Sequence, residues 1–291
     1  MKPLPDGRIA GRKRIDVFFR VLAAASAAAV LLSLLVILGT ILWKSIPALS
    51  LSMLTQTPKG GFYLGKEGGI LNAIVGSLYL GLGATALALL LSLPLALYLN
   101  EYKGRASKTA VWTRFFLDVL WGVPSIVYGA FGFVVMLALG LRASLLAGIL
   151  TVALLEFPIM TRAIDEVMRL VPRELKEASA SLGATRFETA LKVMVRQSAP
   201  GILTGVLLAF GRGIGDAASV LFTAGFTDRV PTSLADPAAT LPLAIFFQLG
   251  TPFPEVQQRA YASAAVLTLI ILIISLAGRA MSRKVTRHVV K

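Results

Sequence analysis

The sequence predicts an all-α, polytopic membrane protein with six transmembrane helices. Hydrophobic residues make up 56% of the 291 residues and charged residues only 15%, whereas a soluble domain carries about 25% charged residues. The apolar residues are gathered into six runs, and most Lys and Arg residues lie between these runs. Apolar and polar residues do not alternate within the runs, so the pattern does not fit a membrane β-barrel.

Each run approaches the length of about 20 residues that a helix needs to cross a bilayer. The runs cover residues 21–43, 68–100, 119–141, 143–161, 199–226 and 260–278. The fourth reaches this length only by continuing through Glu156, which we expect to pair with Arg162 or to lie within reach of the inner interface. The first run is longer than the apolar region of a signal peptide and further runs follow it, so we expect an uncleaved anchor.

The positive residues predict how the spans are oriented. If the N-terminus is cytoplasmic, 22 of the 29 Lys and Arg residues lie on the cytoplasmic side, six lie outside, and Arg212 lies within a span. The positive-inside rule then places both termini in the cytoplasm. The sequence predicts a basic cytoplasmic N-terminus at 1–20 and an anchor helix at 21–43. A core of five spans follows at 70–281, with a cytoplasmic loop at 162–198, and a basic cytoplasmic tail ends the chain at 282–291.

Several kinds of chemistry find no support in the sequence. The net charge of +14 flanks apolar runs, so we expect contacts with membrane lipid and none with nucleic acid. The chain has no cysteine and one histidine, His288, so we expect neither a metal site nor catalytic residues. The stretch GGFYLGKE at 60–67 lacks the Ser or Thr that follows the lysine of a P-loop, so we expect no nucleotide site or bound cofactor.

The loop at 162–198 predicts two short helices with a tight turn between them. Pro172 can open a helix, Gly183 can end it, and Thr185 with Glu188 forms the capping box of the next one. The first helix carries an apolar stripe at Leu175, Ala178 and Leu182. From these residues alone, the loop is either a solvated connection or a docking element.

The loop also resembles a known family. Residues 177–183 read EASASLG and resemble the EAA-x-x-x-G motif of ABC importer permeases, and VPRELKEA at 171–178 and LGATR at 182–186 are similar to the same family. The resemblance implies a type I, MetI-like permease fold with a coupling helix that docks on a cytoplasmic ATPase. The coupling residues that it implies are Arg173, Glu174, Glu177, Ala178, Leu182, Gly183, Ala184 and Thr185. The family usually has Leu-Pro where this chain has Val195-Arg196.

The fifth run contains a second candidate site. A charge in mid-span costs about 2.5–3.5 kcal/mol, so Arg212 should face protein or a water-filled path. Asp216 lies four residues further on and would share its helix face. The pair is either a structural ion pair or a pathway site. In a pathway site, the guanidinium would bind an oxyanion and the carboxylate would accept a hydrogen bond from a protonated one, such as phosphate near neutral pH.

A second resemblance bears on the cargo. Residues 212–224 read RGIGDAASVLFTA and are similar to RxxGETAPLLFTA in the phosphate branch of this family, as are PSIVYGAFG at 124–132 and LPLAIF at 241–246. Asp216 replaces the usual glutamate and Ala218-Ser219 replaces Ala-Pro. The resemblance implies a phosphate pathway at Arg212, Asp216 and Thr223. Permeases for sulfate, molybdate or phosphonate, and an ATP-independent carrier or channel, remain as alternatives.

The resemblance further implies a set of partners and a location. We expect a second permease subunit, a cytoplasmic ATPase dimer that carries ATP and Mg, an extracytoplasmic phosphate-binding protein, and the bacterial plasma (inner) membrane. Transport would then proceed by alternating access. A membrane enzyme would need paired carboxylates, a histidine cluster or a metal set at one depth, and the sequence shows none of these.

Overall fold

The computed structural model describes residues 6–59, 67–103 and 107–285. The helices are α1 (Asp6–Ser45), α2 (Leu51–Thr55), α3 (Leu71–Leu97), α4 (Lys108–Trp121), α5 (Ser125–Ala138), α6 (Leu145–Arg169), α7 (Arg173–Ser181), α8 (Arg186–Glu188), α9 (Arg196–Ile214), α10 (Leu241–Leu249) and α11 (Pro254–Val285). One π-helical turn, Tyr98–Tyr102, follows α3. Another, Thr189–Val195, joins α8 to α9. Strands β1 (Pro58–Lys59) and β2 (Glu67–Gly68) form a short antiparallel ribbon. The glycine-rich stretch at 60–66 and His288 lie outside the described residues.

The candidate membrane spans are all helices, as the predicted all-α fold requires. Within the described residues, five helical segments are long and apolar enough to cross a bilayer. They contain α1, α3, α6, α9 and α11, and the bent pair α4–α5 supplies a sixth if it counts as one span. Helix α6 continues past the fourth predicted run to Arg169.

The third predicted run, 119–141, is wrong as a straight helix. Helices α4 and α5 meet at 98° across residues 122–124. Pro124 has no amide hydrogen to continue the ladder of α4, and it directly precedes the first residue of α5. The Tyr128 hydroxyl donates to the Leu120 carbonyl (2.8 Å), which fixes the bend by satisfying a carbonyl at the end of α4.

The fifth predicted run, 199–226, is also wrong in its extent. Helix α9 ends at Ile214, and the chain continues through a series of turns to Ala224. Gly213 and Gly215 flank this end, and glycine is a poor helix former. At the other end, the helical conformation extends back through the π-helical turn to Arg186.

The core forms where α3, α6 and α9 pack together. Gly201 and Gly205 bring α9 close to α6, because an added Cβ would overlap Val167 at the first position and lie 3.0 Å from Ala163 Cβ at the second. Small residues at these positions therefore allow the two helices to pack closely. At Gly211, in contrast, an added Cβ would meet nothing within 4 Å. Helix α1 lies outside the core and packs on α11.

Candidate coupling hairpin and intramembrane anion site

The predicted helix–turn–helix is present and its turn has the expected chemistry. Pro172 precedes α7, and Gly183 follows it with φ +80°, a conformation that side chains other than glycine rarely adopt. The Thr185 hydroxyl accepts from the Glu188 amide (3.2 Å), and the Glu188 carboxylate accepts from the Thr185 amide (3.0 Å). The Gly183 terminator and the Thr185–Glu188 capping box are therefore confirmed. We call residues 173–188 the coupling hairpin.

The coupling hairpin presents an exposed surface at its tip. The Leu182 side chain, which ends the predicted apolar stripe, is 89% exposed, and Phe187 on α8 is also exposed. The implied coupling residues Arg173, Glu174, Glu177 and Ala178 are exposed as well. An isolated leucine is unremarkable on a surface, but a leucine and a phenylalanine together on a polar hairpin suit a docking contact.

The base of the coupling hairpin is joined to the inner end of α3. Lys176 Nζ lies 3.0 Å from the Glu101 carboxylate and donates to the Asn100 carbonyl (3.2 Å). The hydroxyls of Ser179 and Thr189 lie 2.9 Å apart, which ties α7 to the turn that leads into α9. These contacts hold one side of α7 against the helix bundle, while the tip of the coupling hairpin remains exposed.

A buried ion-pair cluster lies next to the contact between Lys176 and the turn after α3, and the sequence did not predict it. Asp165 on α6 is fully buried and accepts two hydrogen bonds from Arg114 on α4, both of 2.9 Å. The Asn100 side-chain amide donates to the same carboxylate (2.7 Å), and Arg162 approaches to 3.0 Å. A sequence signal for this cluster was the acidic residue that follows the fourth run among several arginines.

The expected Glu156–Arg162 pair is wrong. Arg162 Nε donates to Asp118 (2.6 Å), and its Nη1 lies 3.0 Å from Asp165. Glu156 lies one and a half turns earlier on α6, fully buried against Gly213 of α9, where any added Cβ would overlap its carboxylate. Gly213 is therefore required by close packing at the level of Arg212.

The predicted pathway pair sits at a helix end. Arg212 lies in the last turn of α9, and Asp216 lies two residues beyond its final residue, Ile214. Arg212 Nη1 and Asp216 Oδ1 are 3.8 Å apart, so the two side chains do meet, but across the helix end and not along a continuous helix face. The Arg212 side chain is 50% exposed and that of Asp216 only 6%.

This difference in exposure separates the roles of the two residues. The second oxygen of Asp216 accepts from the Ser219 amide (2.8 Å), which holds the carboxylate in the turn after α9. Half of the Arg212 side chain is exposed, and its Nη1 lies 3.8 Å from the Asp216 carboxylate, so the arginine retains donors for another anion. The buried Asp216 carboxylate can therefore orient the Arg212 guanidinium and still leave it able to bind another anion.

Thr223 lies in a different environment. It is fully buried, and its hydroxyl donates to the Ser219 carbonyl (3.2 Å). Its own carbonyl contributes to a cap on α6, in which the amides of Ser144, Leu145 and Leu146 donate to the carbonyls of Thr223, Asp236 and Leu234 at 2.9, 2.7 and 2.9 Å. The Ala147 amide donates to the Ser144 hydroxyl (3.3 Å). The pathway role of Thr223 stays a prediction.

The stretch at 124–132 packs against the segment that follows Arg212. An added Cβ on Gly129 would lie 2.7 Å from the Ala218 carbonyl oxygen, and one on Gly132 would overlap the Thr151 hydroxyl. Helix α5 can therefore approach this segment and α6 only because these two positions lack side chains. The α4–α5 bend and the Arg212 segment form one packed unit.

The spanning helices, the exposed coupling hairpin and the intramembrane arginine together define a permease subunit of the ABC importer class. Residues 88–291 match the family described as "Binding-protein-dependent transport system inner membrane component", and the chain belongs to this family of multi-pass inner-membrane proteins. Its relatives include proteins called "Phosphate transport system permease protein PstA". The relative from Haemophilus influenzae is 37% identical over 244 residues, which cover 84% of this chain and 85% of that protein.

Other relatives carry the same name. The Yersinia pestis protein is 36% identical over 276 residues, which cover 94% of this chain and 92% of that protein. The Mycobacterium tuberculosis (strain H37Rv) protein PstA 1 is 37% identical over 224 residues, which cover 76% of this chain and 72% of that protein. These matches cover between 76% and 94% of the chain.

Solved structures confirm the predicted type of fold. A chain of the MetNI methionine ABC transporter in inward facing conformations superposes with a TM-score of 0.62 at 18% identity, covering 75% of this chain and 96% of that chain. A chain of a bacterial ABC transporter involved in the import of the acidic polysaccharide alginate gives a TM-score of 0.57 at 16% identity, covering 94% and 99%. Identities this low show the fold alone.

Proposed function

We propose that this chain is one of the two permease subunits of an ATP-driven importer that moves inorganic phosphate into the cytoplasm by alternating access. The exposed coupling hairpin supports the ATP-driven part, because it offers a structured surface at one end of the bundle. The PstA relatives, at 36–37% identity over most of the chain, support phosphate as the cargo.

The Arg212 site supplies chemistry that suits phosphate. A guanidinium presents planar, paired N–H donors that match the oxygens of an oxyanion. The buried carboxylate of Asp216, 3.8 Å away, can accept a hydrogen bond from an anion that still carries a proton. Phosphate carries one near neutral pH and sulfate does not, so this pair favours phosphate over sulfate. Binding stays weak because Asp216 already offsets part of the positive charge.

The proposal includes an assembly and an orientation. A PstC-like permease would pair with this chain, a PstB-like ATPase dimer would supply ATP and Mg, and a PstS-like protein would deliver phosphate from outside. The distribution of Lys and Arg, with 22 residues on one side and six on the other, supports cytoplasmic termini and a cytoplasmic coupling hairpin. On this proposal, the chain itself binds no cofactor and catalyses no reaction.

The coupling assignment can be tested by capture of the purified ATPase on the tagged permease pair. We expect Glu177→Lys and Gly183→Pro to abolish capture, since the first reverses a charge on the exposed face of α7 and the second cannot adopt φ +80°. Asp16→Lys makes the same change of charge at an exposed carboxylate on α1 and should retain capture. Full capture by both hairpin variants would refute the docking role.

The pathway assignment can be tested by uptake of radiolabelled phosphate into proteoliposomes that contain the whole importer. We expect Arg212→Gln to lower uptake at least 100-fold while the complex still assembles, because a neutral amide attracts no anion. Arg20→Gln removes an exposed arginine of α1 and should leave uptake within twofold. Unchanged uptake by Arg212→Gln would refute the pathway role, and uptake of sulfate, molybdate or phosphonate instead of phosphate would refute the cargo.

A further inference from the structure

The contact between Lys176 and the turn after α3 connects the coupling hairpin to the helix bundle, and neither proposed role has made use of it so far. Lys176 is on α7, in the middle of the proposed coupling surface, but its ammonium turns toward Glu101 (3.0 Å) and the Asn100 carbonyl (3.2 Å). The Glu101 side chain is 11% exposed and that of Lys176 is 25% exposed, so both groups are largely shielded from water. A pair in such a position is screened less than a surface ion pair.

The same contact continues into the buried cluster. Asn100 accepts from Lys176 through its carbonyl and donates through its side-chain amide to Asp165 (2.7 Å). Asp165 in turn holds Arg114 of α4 through two bonds of 2.9 Å. A chain of polar contacts therefore runs from α7 through the π-helical turn after α3 to α6 and α4.

The covalent connection cannot fix α7 to the bundle by itself. Only residues 170–172 separate the end of α6 from the start of α7. Leu170 in this link is exposed, whereas Val171 is buried. The amides of Leu170 and Val171 donate to carbonyls of α6 (3.1 and 3.3 Å), so this link follows α6 but restrains α7 at one end only. The Lys176–Glu101 pair adds a restraint within α7, beside the Ser179–Thr189 contact.

We propose that Lys176 and Glu101 are positioning residues that form a rigid joint, so that α7 and the inner ends of α3, α4 and α6 move as one body. Through this joint, a displacement of the coupling hairpin by the ATPase reaches the membrane helices without loss. This inference rests on the proposed function, because it assigns the joint to the coupling of ATP hydrolysis to transport.

A charge-swap cycle in the reconstituted importer tests the joint. Lys176→Glu and Glu101→Lys each place two like charges about 3 Å apart, and each should lower phosphate uptake at least tenfold. Glu101→Lys, which lies outside the coupling hairpin, should keep ATPase capture and basal ATP hydrolysis within twofold. The double swap restores the attraction and should recover uptake to within threefold. If either reversal prevents assembly, Lys176→Met and Glu101→Gln replace the reversals with the same expected fall in uptake.

A matched swap controls for the exchange of charges. Asp16→Arg with Arg20→Asp inverts an exposed pair 2.8 Å apart on α1 and should leave uptake within twofold. Single reversals of the joint that leave uptake unchanged, or a double swap that fails to recover it, would overturn the proposal. A merely structural role predicts parallel losses of assembly and uptake, whereas the joint predicts more ATP hydrolysed per phosphate at constant assembly.

The absence of cysteine from the chain allows a second, independent test. Lys176→Cys with Glu101→Cys can be joined by a short bismaleimide without other thiols in the chain. Because the two cysteines remove the ion pair, uptake by the untreated variant should fall at least tenfold. If α7 and α3 move together, the cross-link replaces the joint covalently and should restore uptake to within threefold of the wild type. A cross-link that abolishes uptake would show that the two helices must separate, and the proposal would fail.

The failure of the joint can be distinguished from the failure of the proposed function. If the wild-type importer takes up no phosphate, the proposed function has failed. In that case, the joint can still be tested by measuring how strongly the loaded binding protein stimulates ATP hydrolysis in the single reversals and in the double swap.

Discussion

The Asp165 cluster gives the sharpest prediction about stability. Asp165 is fully buried and pairs with Arg114, whose side chain is only 7% exposed. The Asp165→Ala substitution leaves this arginine in the interior without its carboxylate, together with the Asn100 amide that donated to the same group. A surface pair on α1 provides the matched comparison, because Arg20 and Asp16 form an equally short contact (2.8 Å) at 77% and 67% exposure.

The two sites differ in magnitude because of solvent. Removing one partner of a buried ion pair costs about 3–5 kcal/mol, since the remaining charge lacks both its partner and water. Removing one partner of an exposed pair costs about 0–1 kcal/mol. We therefore expect Asp165→Ala to lower the free energy of unfolding several times more than Asp16→Ala. Replacing both partners, by Arg114→Met with Asp165→Leu, should recover most of the loss because no charge then remains buried.

The measurement is thermal unfolding of the detergent-solubilised protein, followed as the loss of the monodisperse peak in size-exclusion chromatography. At about 2–4 °C per kcal/mol, Asp165→Ala should lower the midpoint by about 6–20 °C and Asp16→Ala by no more than about 4 °C. Equal shifts for the two alanine variants would refute the reasoning that burial sets the energy of the cluster. So would a double variant no more stable than Asp165→Ala.

Two further predictions concern packing and pH. Gly213→Ala should destabilise the protein by about 1–3 kcal/mol, because its Cβ would overlap the Glu156 carboxylate and lie 2.9 Å from Val152. Gly211→Ala should not destabilise it, because the added Cβ meets nothing within 4 Å. Equal unfolding midpoints for the two variants would contradict this prediction. The amides and hydroxyl that donate to Asp236, chiefly the Thr232 amide, hold the pKa of that carboxyl below its usual range. The folded pKa thus lies below the unfolded value of about 3.9, so the loop gains stability above that value and loses it as pH falls through the folded pKa. Hydrogen exchange at the Thr232 amide should lose protection in that lower range. Above the folded pKa, Asp236→Asn should accelerate this exchange relative to the wild type, and an unchanged rate there would exclude this restraint.

The sequence was sufficient for features that depend on local chemistry. Apolar length predicts the spans because a bilayer imposes the same requirement on every helix that crosses it. The turn at Gly183 and the capping box at Thr185 were predictable because each satisfies backbone groups within a few residues. The meeting of Arg212 and Asp216 was also predictable from their spacing of four, although the helix ends between them.

The sequence was insufficient where direction or distant contacts decide. Hydropathy sums over a window and carries no direction, so the 98° bend at 122–124 left the third run looking continuous. Arg114 and Asp165 are 51 residues apart, so nothing local links them. Glu156 has Arg162 as a near neighbour in sequence, but these residues lie six apart on a helix and therefore face different directions.

The cap on the first turn of α6 has a consequence for how the anion travels. A helix that begins with free amides is a ready anion-binding site, and such a site near the mouth of a passage would retain phosphate. Here the amides from Ser144 to Ala147 are already engaged by the protein. On the proposed function, the fold would thereby remove a trap for the anion, which would instead meet the Arg212 side chain and could leave it again. For a transporter, such brief residence is more useful than tight capture.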